Sequence, residues 1–287
     1  MSFNPLEAQL RMVLDKLSNN EEVLIEDRWI DEAVEAFRAS LIKQLRPEPR
    51  EFGLRASNVG RPVCQLQNEQ AGIPKTRQDY NHIMRMLLGD ITEIVVRLMV
   101  MASGANVTGE KAKSETQIGS TLIKGEDDIE IDAKVYDVKS ASPYMFTHKW
   151  ADGWKGIYYG DSFGYVPQLY MYARGDPKRM GGWIVVDKSS GEIKVVPAEP
   201  TPEQIKEIKA KIEETERIIA EQQPFRKVFQ AEEETWYGKA TGNLKVPLVC
   251  TFCQFQKHCW PEAVYRTNPS SKAQSPKPQW YVKVKGE

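Results

Sequence analysis

Asp137 and Lys139 stand one residue apart, on either side of Val138, in a run that alternates apolar and polar side chains. Residues two apart on a strand project to one face. This spacing predicts a carboxylate and an ammonium side by side, with Val138 turned into a core. Residues 122–142 hold two alternating stretches, Leu122-Ile123 leading into Ile129-Glu130-Ile131, then Val135-Tyr136-Asp137-Val138. That is the pattern of neighbouring strands in a half-buried sheet. Asp128 and Asp132 crowd the same strands. Hard oxygen ligands of this kind hold Mg²⁺, and a neighbouring cation positions or polarises an attacking water. The constellation suits a metal-dependent phosphodiesterase. An ordinary charged hairpin edge would use the same residues.

Two helices carry further candidates. Residues 79–102 are apolar over most of their surface and predict a central buried helix. Gly89 and Glu93 lie four apart and share a face of it. A carboxylate there is costly to bury unless it is paired or metal-bound; the alternative is an exposed Glu beside Asp90 and Arg97. His82 reads as a solvated residue of the first turn. On a helix over 166–174, Gln168 and Tyr172 are also four apart, and both could hydrogen-bond a phosphate or a base edge. Between these helices, residues 139–165 are rich in aromatics, Gly, Ser and Lys with little periodicity. They predict a substrate-facing loop, with rings to stack on bases and with Ser140, Lys149 and Lys155 to contact DNA.

Four cysteines complete the chemistry. Cys250, Cys253 and Cys259 form a Cys-x₂-Cys knuckle with a third thiol close behind, and such a trio needs a fourth soft ligand. Cys64 is the remaining cysteine, and His258 is its rival. Spacing leaves zinc and an iron–sulfur cluster both open.

The scaffold must position these groups. The chain has 287 residues, 41% hydrophobic and 28% charged, with a net charge of −1. That is the composition of a globular protein able to bury a core. A nucleic-acid partner would meet a local basic groove, since the whole molecule is not a polycation. No run is apolar enough to span a bilayer, the N-terminus lacks a secretory pattern, and no membrane partner is expected. A cytoplasmic location follows, and thiols in that compartment serve as metal ligands more often than as disulfides. Helices are predicted over 5–18, capped by Asn4 with Pro5 in the first turn, over 26–45, and over 201–222 with a solvated Glu/Lys face. A hairpin is predicted over 182–196. The tail, 263–287, is polar and basic (Lys272, Lys277, Lys283, Lys285) and partly flexible. Its residues 279–285 could add an edge strand or touch nucleic acid.

Taken together, these motifs resemble the PD-(D/E)XK nuclease superfamily, and within it the RecB-type iron–sulfur exonucleases, similar to the CRISPR-associated and AddB-type nuclease domains and to stand-alone phage members. The matching residues are Cys64, Gly89-x₃-Glu93, Gly125-x₂-Asp128, Asp137-Val138-Lys139, Gln168-x₃-Tyr172 and Cys250-x₂-Cys253-x₅-Cys259. The resemblance implies a restriction-endonuclease-like α/β core, a central mixed sheet flanked by helices, with a C-terminal cysteine cluster. It implies Mg²⁺ or Mn²⁺ held by Glu93, Asp128, Asp137 and the Val138 carbonyl. Lys139 would orient the attacking water, Gln168 and Tyr172 would hold the DNA backbone, and Cys64, Cys250, Cys253 and Cys259 would bind a 4Fe–4S cluster. Many members have His where Glu93 stands, and Asp132 competes with Asp128 for the second carboxylate. The domains expected are 1–52, helical and packed on the core; 53–262, the nuclease; and 263–287, the tail. The activity expected is exonucleolytic hydrolysis of DNA, single-stranded or from ends, with a helicase or recombination protein as a further partner. A structure-selective endonuclease, a CRISPR-type trimming nuclease and a non-catalytic iron–sulfur DNA-binding subunit are the alternatives.

Overall fold

The computed structural model describes residues 4–77, 79–268, 271 and 274–286. Lys272 of the basic tail lies outside the described residues. The chain forms two compact units, Met1–Gly60 with Tyr80–Ala220, and Arg61–Asp79 with Glu221–Glu287. These divisions differ from the single 53–262 domain read from the sequence. The excursion after Gly60 is captured by the later chain: Gln67 Nε2 donates to the carbonyls of Gln223 and Pro224, both at 3.0 Å, and Gln67 Oε1 accepts the Arg226 N–H at 3.0 Å.

In chain order the elements are α1 (Pro5–Ser18), α2 (Asp27–Leu45), α3 (Val63–Gln70), α4 (His82–Ala102), β1 (Val107–Glu110), β2 (Lys113–Ile118), β3 (Thr121–Glu126), β4 (Ile129–Ile131), β5 (Lys134–Ala141), α5 (Pro143–His148), α6 (Gly153–Tyr159), α7 (Tyr165–Tyr172), β6 (Met180–Asp187), β7 (Ile193–Pro197) and α8 (Pro202–Ala220). They continue as β8 (Glu232–Trp236), β9 (Lys239–Lys245), α9 (Leu248–Thr251), α10 (Gln256–Cys259), β10 (Val264–Arg266) and β11 (Gln279–Lys283).

The first unit is mixed α/β. Its central sheet has the order β1-β4-β5-β6-β7, with β5 and β6 parallel and the other pairs antiparallel. The parallel pair requires a long crossover, and α5, α6 and α7 supply it. Helix α1 starts as its cap predicts, with Asn4 Oδ1 accepting the Leu6 N–H at 3.0 Å. Its Leu6, Leu10 and Val13 join Val96, Val100, Ile129, Val138 and Ile184 in one core. Each such side chain contributes roughly 1.5–3 kcal/mol when fully buried.

Three expectations are corrected here. Residues 122–131 do not run on as one strand: β3 pairs with β2 in a separate hairpin, while β4 pairs with β1 and β5. Asp127 and Asp128 sit at the crossing between the two sheets. Residues 139–165 are not a loop. Ser142 Oγ accepts the Met145 N–H at 3.4 Å and Pro143 follows it, which starts α5. The aromatic richness there went into the core, because Trp150 and Trp154 pack against Trp183 at centroid distances of 5.7 and 6.0 Å. Helix α4 begins at His82 and is not buried all round. Its sheet side carries Val96 and Val100, but Met84, Leu88, Ile91 and Val95 are exposed.

The second unit contains α3, α9, α10 and an antiparallel sheet of order β10-β11-β9-β8. Strand β11 is therefore interior, not the edge strand expected of the tail. Its Tyr281 hydroxyl donates to Glu234 Oε1 at 2.6 Å, and Glu234 Oε2 accepts from Thr241, Asn243 and Asn268. Among the described residues, no helix is long and apolar enough to cross a membrane.

Candidate active site

Asp137 and Lys139 lie in the middle of β5, paired with Trp183 and Val185 of β6, just past the stretch Lys134–Tyr136 that pairs with β4. Lys139 Nζ stands 2.8 Å from Asp137 Oδ1 and 2.7 Å from Oδ2. Both carboxylate oxygens therefore face the ammonium, and the contact to Oδ1 is the better aligned hydrogen bond. Val138 points into the core, as the alternation predicts.

Asp128 comes to the same place because it begins the short approach into β4. Its Oδ2 accepts the Val138 N–H at 2.8 Å. The rival acid Asp132 is elsewhere. It sits with Ala133 in the two-residue turn joining β4 to β5, both at positive φ, and its Oδ1 accepts from Asn106 at 3.0 Å. A turn of that hand matches the strand twist.

Glu93 reaches the cluster from α4, one turn beyond Gly89. The glycine faces β5 closely, and a Cβ there would lie 3.8 Å from Ser140 Oγ. Glu93 does not meet the aspartates directly. The ammonium of Lys111 stands between them, in close contact with Glu93 Oε1 and 3.4 Å from Asp128 Oδ1. Lys111 lies between β1 and β2 with φ +48°. Its neighbour is fixed by Asp127, whose Oδ1 accepts the Ala112 N–H at 3.0 Å while the Asp127 N–H donates to the Ala112 carbonyl at 3.2 Å. No periodicity marks a lysine in a left-handed turn, so spacing alone does not point to Lys111.

Helix α7 closes the cluster. Lys139 Nζ is 3.5 Å from Gln168 Oε1, and Gln168 Nε2 donates to the Tyr172 hydroxyl at 2.7 Å. Gly125 explains its place in the motif: a Cβ on it would come within 2.7 Å of Ala56 Cβ and 3.1 Å of Tyr172 Cδ1. Tyr165, a residue the spacing did not single out, presents its ring to Lys139 Nζ at 5.2 Å.

The electrostatics follow from burial. Asp137 is 1% exposed. Burial pushes its carboxyl up to about 7; Lys139 opposes the rise and Asp128 adds to it. Burial also raises Glu93, with Asp128 adding and Lys111 opposing. For Lys139, burial works against the charge, but Asp137 and then Asp128 outweigh it and hold the ammonium above the ordinary lysine range. Lys111 is raised in the same way, by Asp128 and Glu93 against burial. Tyr172 is raised by burial and by Asp137 and Asp128, so its phenol keeps its proton.

Among the described residues, no three His, Cys, Asp or Glu side chains converge as a ready-made metal shell. In the acidic cluster, lysine ammonium groups occupy the space between the carboxylates. The donor set still fits a hard divalent cation: three carboxylates in series, whose charge is balanced by the ammonium groups of Lys111 and Lys139.

The remaining expected DNA contacts are less united. Ser140 lies beside Gly89 on β5, and Lys155 is exposed on α6. Lys149 is engaged within its own segment. Its Nζ donates to the Gly160 carbonyl and lies 5.9 Å from the Tyr165 ring.

In the second unit Cys64, Cys250, Cys253 and Cys259 line one cavity with Asn68, Gln256 and Trp260. His258 is not among the lining residues; its ring faces Phe225 edge-on at 6.5 Å. Two sulfurs already accept hydrogen bonds, Cys259 from Asn68 Nδ2 at 3.5 Å and Cys253 from the Phe255 N–H at 3.4 Å. Burial raises the Cys64 and Cys253 thiols and pushes Cys250 up to about 11. Four soft donors with N–H groups aimed at sulfur fit a metal or an iron–sulfur cluster.

No family model matches the chain, and no curated protein sequence matches it. Among solved structures it is similar to one described as "Crystal structure of SSO0001", with 14% identity and a TM-score of 0.37, over 77% of this chain and 92% of that chain. A likeness that slight carries over neither a fold nor a function.

Proposed function

We propose that the chain is a metal-dependent deoxyribonuclease of the PD-(D/E)XK type, an exonuclease that hydrolyses phosphodiester bonds in single-stranded DNA or at DNA ends. The observation that carries this reading is the unbroken contact series Glu93–Lys111–Asp128–Val138 backbone–Asp137–Lys139–Gln168–Tyr172, drawn from α4, β5 and α7 and from the turns that begin β2 and β4.

Glu93, Asp128 and Asp137, with the Val138 carbonyl, are the groups that would hold Mg²⁺ or Mn²⁺. Bound there, the ion supplies Lewis-acid activation of water and neutralises charge growing on the phosphoryl oxygens. Lys139 is held charged by its carboxylate neighbours, so it acts as a donor and not as a base. It orients the attacking water and stabilises the developing negative charge. Gln168 fixes the ammonium's direction through its Oε1. Tyr172 accepts from Gln168 and can donate its own proton to a phosphate oxygen, which holds the backbone in line. The four thiols in the second unit are proposed to hold a 4Fe–4S cluster with a structural role, tying α3 to the α9–α10 segment.

Lys139→Ala tests the assignment. Cleavage of end-labelled single strands in Mn²⁺ should fall by roughly 10²-fold or more, while binding of the same strand is retained. Undiminished cleavage would refute it.

A further inference from the structure

Helix α2 is 19 residues long and has no buried residue. It packs on α4, through half-buried Trp29, Ala33, Ala36, Ser40 and Gln44, with Gln44 Nε2 donating to Asp90 Oδ2 at 2.8 Å. Beside that seam runs a second apolar stripe, left uncovered among the described residues. Ile30 is 45% exposed, Val34 58% and Phe37 40%, and half-buried Leu41 continues the row. Their spacing of four, three and four residues is the repeat of a coiled-coil seam. Exposed Met84, Leu88, Ile91 and Val95 repeat the same spacing along α4. A contiguous apolar surface of this kind marks an interaction site.

We propose that α2 and α4 form the interface of a homodimer, with the α2 helices of two copies packed antiparallel about a twofold axis. Two features of α2 identify the occupant as a second copy. The first is register. An antiparallel pairing centred between Glu35 and Ala36 sets Ile30 against the partner's Leu41 and Val34 against the partner's Phe37, so the stripe is complementary to itself. An isologous interface requires that self-complementarity; an unrelated partner does not. The second is charge. Four acids, Asp27, Asp31, Glu32 and Glu35, and one base, Arg28, lie in the first half of α2; three bases, Arg38, Lys43 and the C-cap Arg46, lie in the second. Antiparallel packing in that register brings Asp31, which flanks the stripe, toward the partner's Arg38, and the twofold axis repeats the pair. Parallel packing would set acid against acid along the first half. Arg38 and Lys43 already contact Glu35 at 3.7 Å and Asp90 at 3.6 Å. The Asp31–Arg38 pair across chains would extend the Glu35–Arg38 contact without breaking it. None of these residues belongs to the acidic cluster, so the proposal stands apart from the nuclease reading.

Sedimentation and light scattering of the full chain provide the test. The wild type should show about twice the 32.7 kDa of one chain. Val34→Glu/Phe37→Glu should return the single-chain mass with an unchanged circular dichroism spectrum. A wild type at single-chain mass at every concentration would overturn the proposal, and so would a double variant that still dimerises. Should the double variant misfold, disulfide trapping decides. Val34→Cys mixed with Phe37→Cys should cross-link more than either alone. Dominant linking of Val34→Cys to itself would mean a parallel pair, and no linking would mean that another partner covers the stripe; either result overturns the proposal.

Discussion

The Oδ2 of Asp128 accepts the backbone N–H of Val138 at 2.8 Å. This bond docks the acid that opens β4 onto β5 between Asp137 and Lys139, the two residues that flank Val138. Mutual repulsion of buried carboxylates would otherwise drive Asp128 and Asp137 apart. The backbone donor and the two lysines hold them together in the absence of a divalent ion.

Lys111 is the counter-charge that a divalent ion would displace. In Lys111→Met the Glu93–Asp128 pair loses its cation. Without metal the variant should melt below the wild type. Mn²⁺ should then bind it more tightly, by about tenfold or 1.4 kcal/mol, because no ammonium has to leave. Melting curves with and without Mn²⁺ check this, and an equal Mn²⁺-induced shift in both proteins would show that Lys111 does not compete for the site.

Cys64 is separated from the other three thiols by most of the chain, yet it lines their cavity. Protein purified without oxygen should be brown and contain iron. Cys64→Ala should be colourless and iron-poor, with the second unit destabilised. Zinc in the colourless wild type would reassign the metal, and a brown, stable variant would remove Cys64 from the ligand set.

Glu234 is the acid-sensitive group of the second unit. Burial works to raise its pKa, but hydrogen bonds from Tyr281, Asn243 and Thr241 outweigh it, and the folded value lies below the ordinary one. Its charge therefore contributes stability that is fully present above the unfolded pKa of about 4.3 and is lost as pH falls through the folded pKa. Wild type should melt above Glu234→Gln by a constant margin near neutral pH, and the margin should shrink below about pH 4. A margin independent of pH down to the acid limit would show that the carboxylate's charge does not stabilise the sheet.

The parts legible in the sequence are those set by strong local periodicity or by caps. Asn4 with Pro5 starts α1, the alternation around Val138 places Asp137 and Lys139 on one face, and the β6–β7 hairpin falls where its apolar runs end. What stayed hidden depends on long-range partners. Aromatic composition masks the Ser142–Pro143 cap, so the sequence predicts a loop where α5 and α6 form. The apolar surface of α4 suggested full burial, although its outer stripe is exposed. The Gly125-x₂ spacing favours Asp128 over Asp132, and the positive φ at Asp132 puts that rival in the turn. Lys111 and Tyr165 reach the cluster through tertiary contacts alone.

The central claim is that Glu93, Asp128 and Asp137 together grip one divalent cation, and calorimetric titration with Mn²⁺ tests it most directly. The account predicts saturable binding to the wild type and at least tenfold weaker binding to Asp137→Asn, with a circular dichroism spectrum confirming that the variant is folded. A wild type that takes up no Mn²⁺, or an Asp137→Asn variant that binds it equally well, would contradict the account.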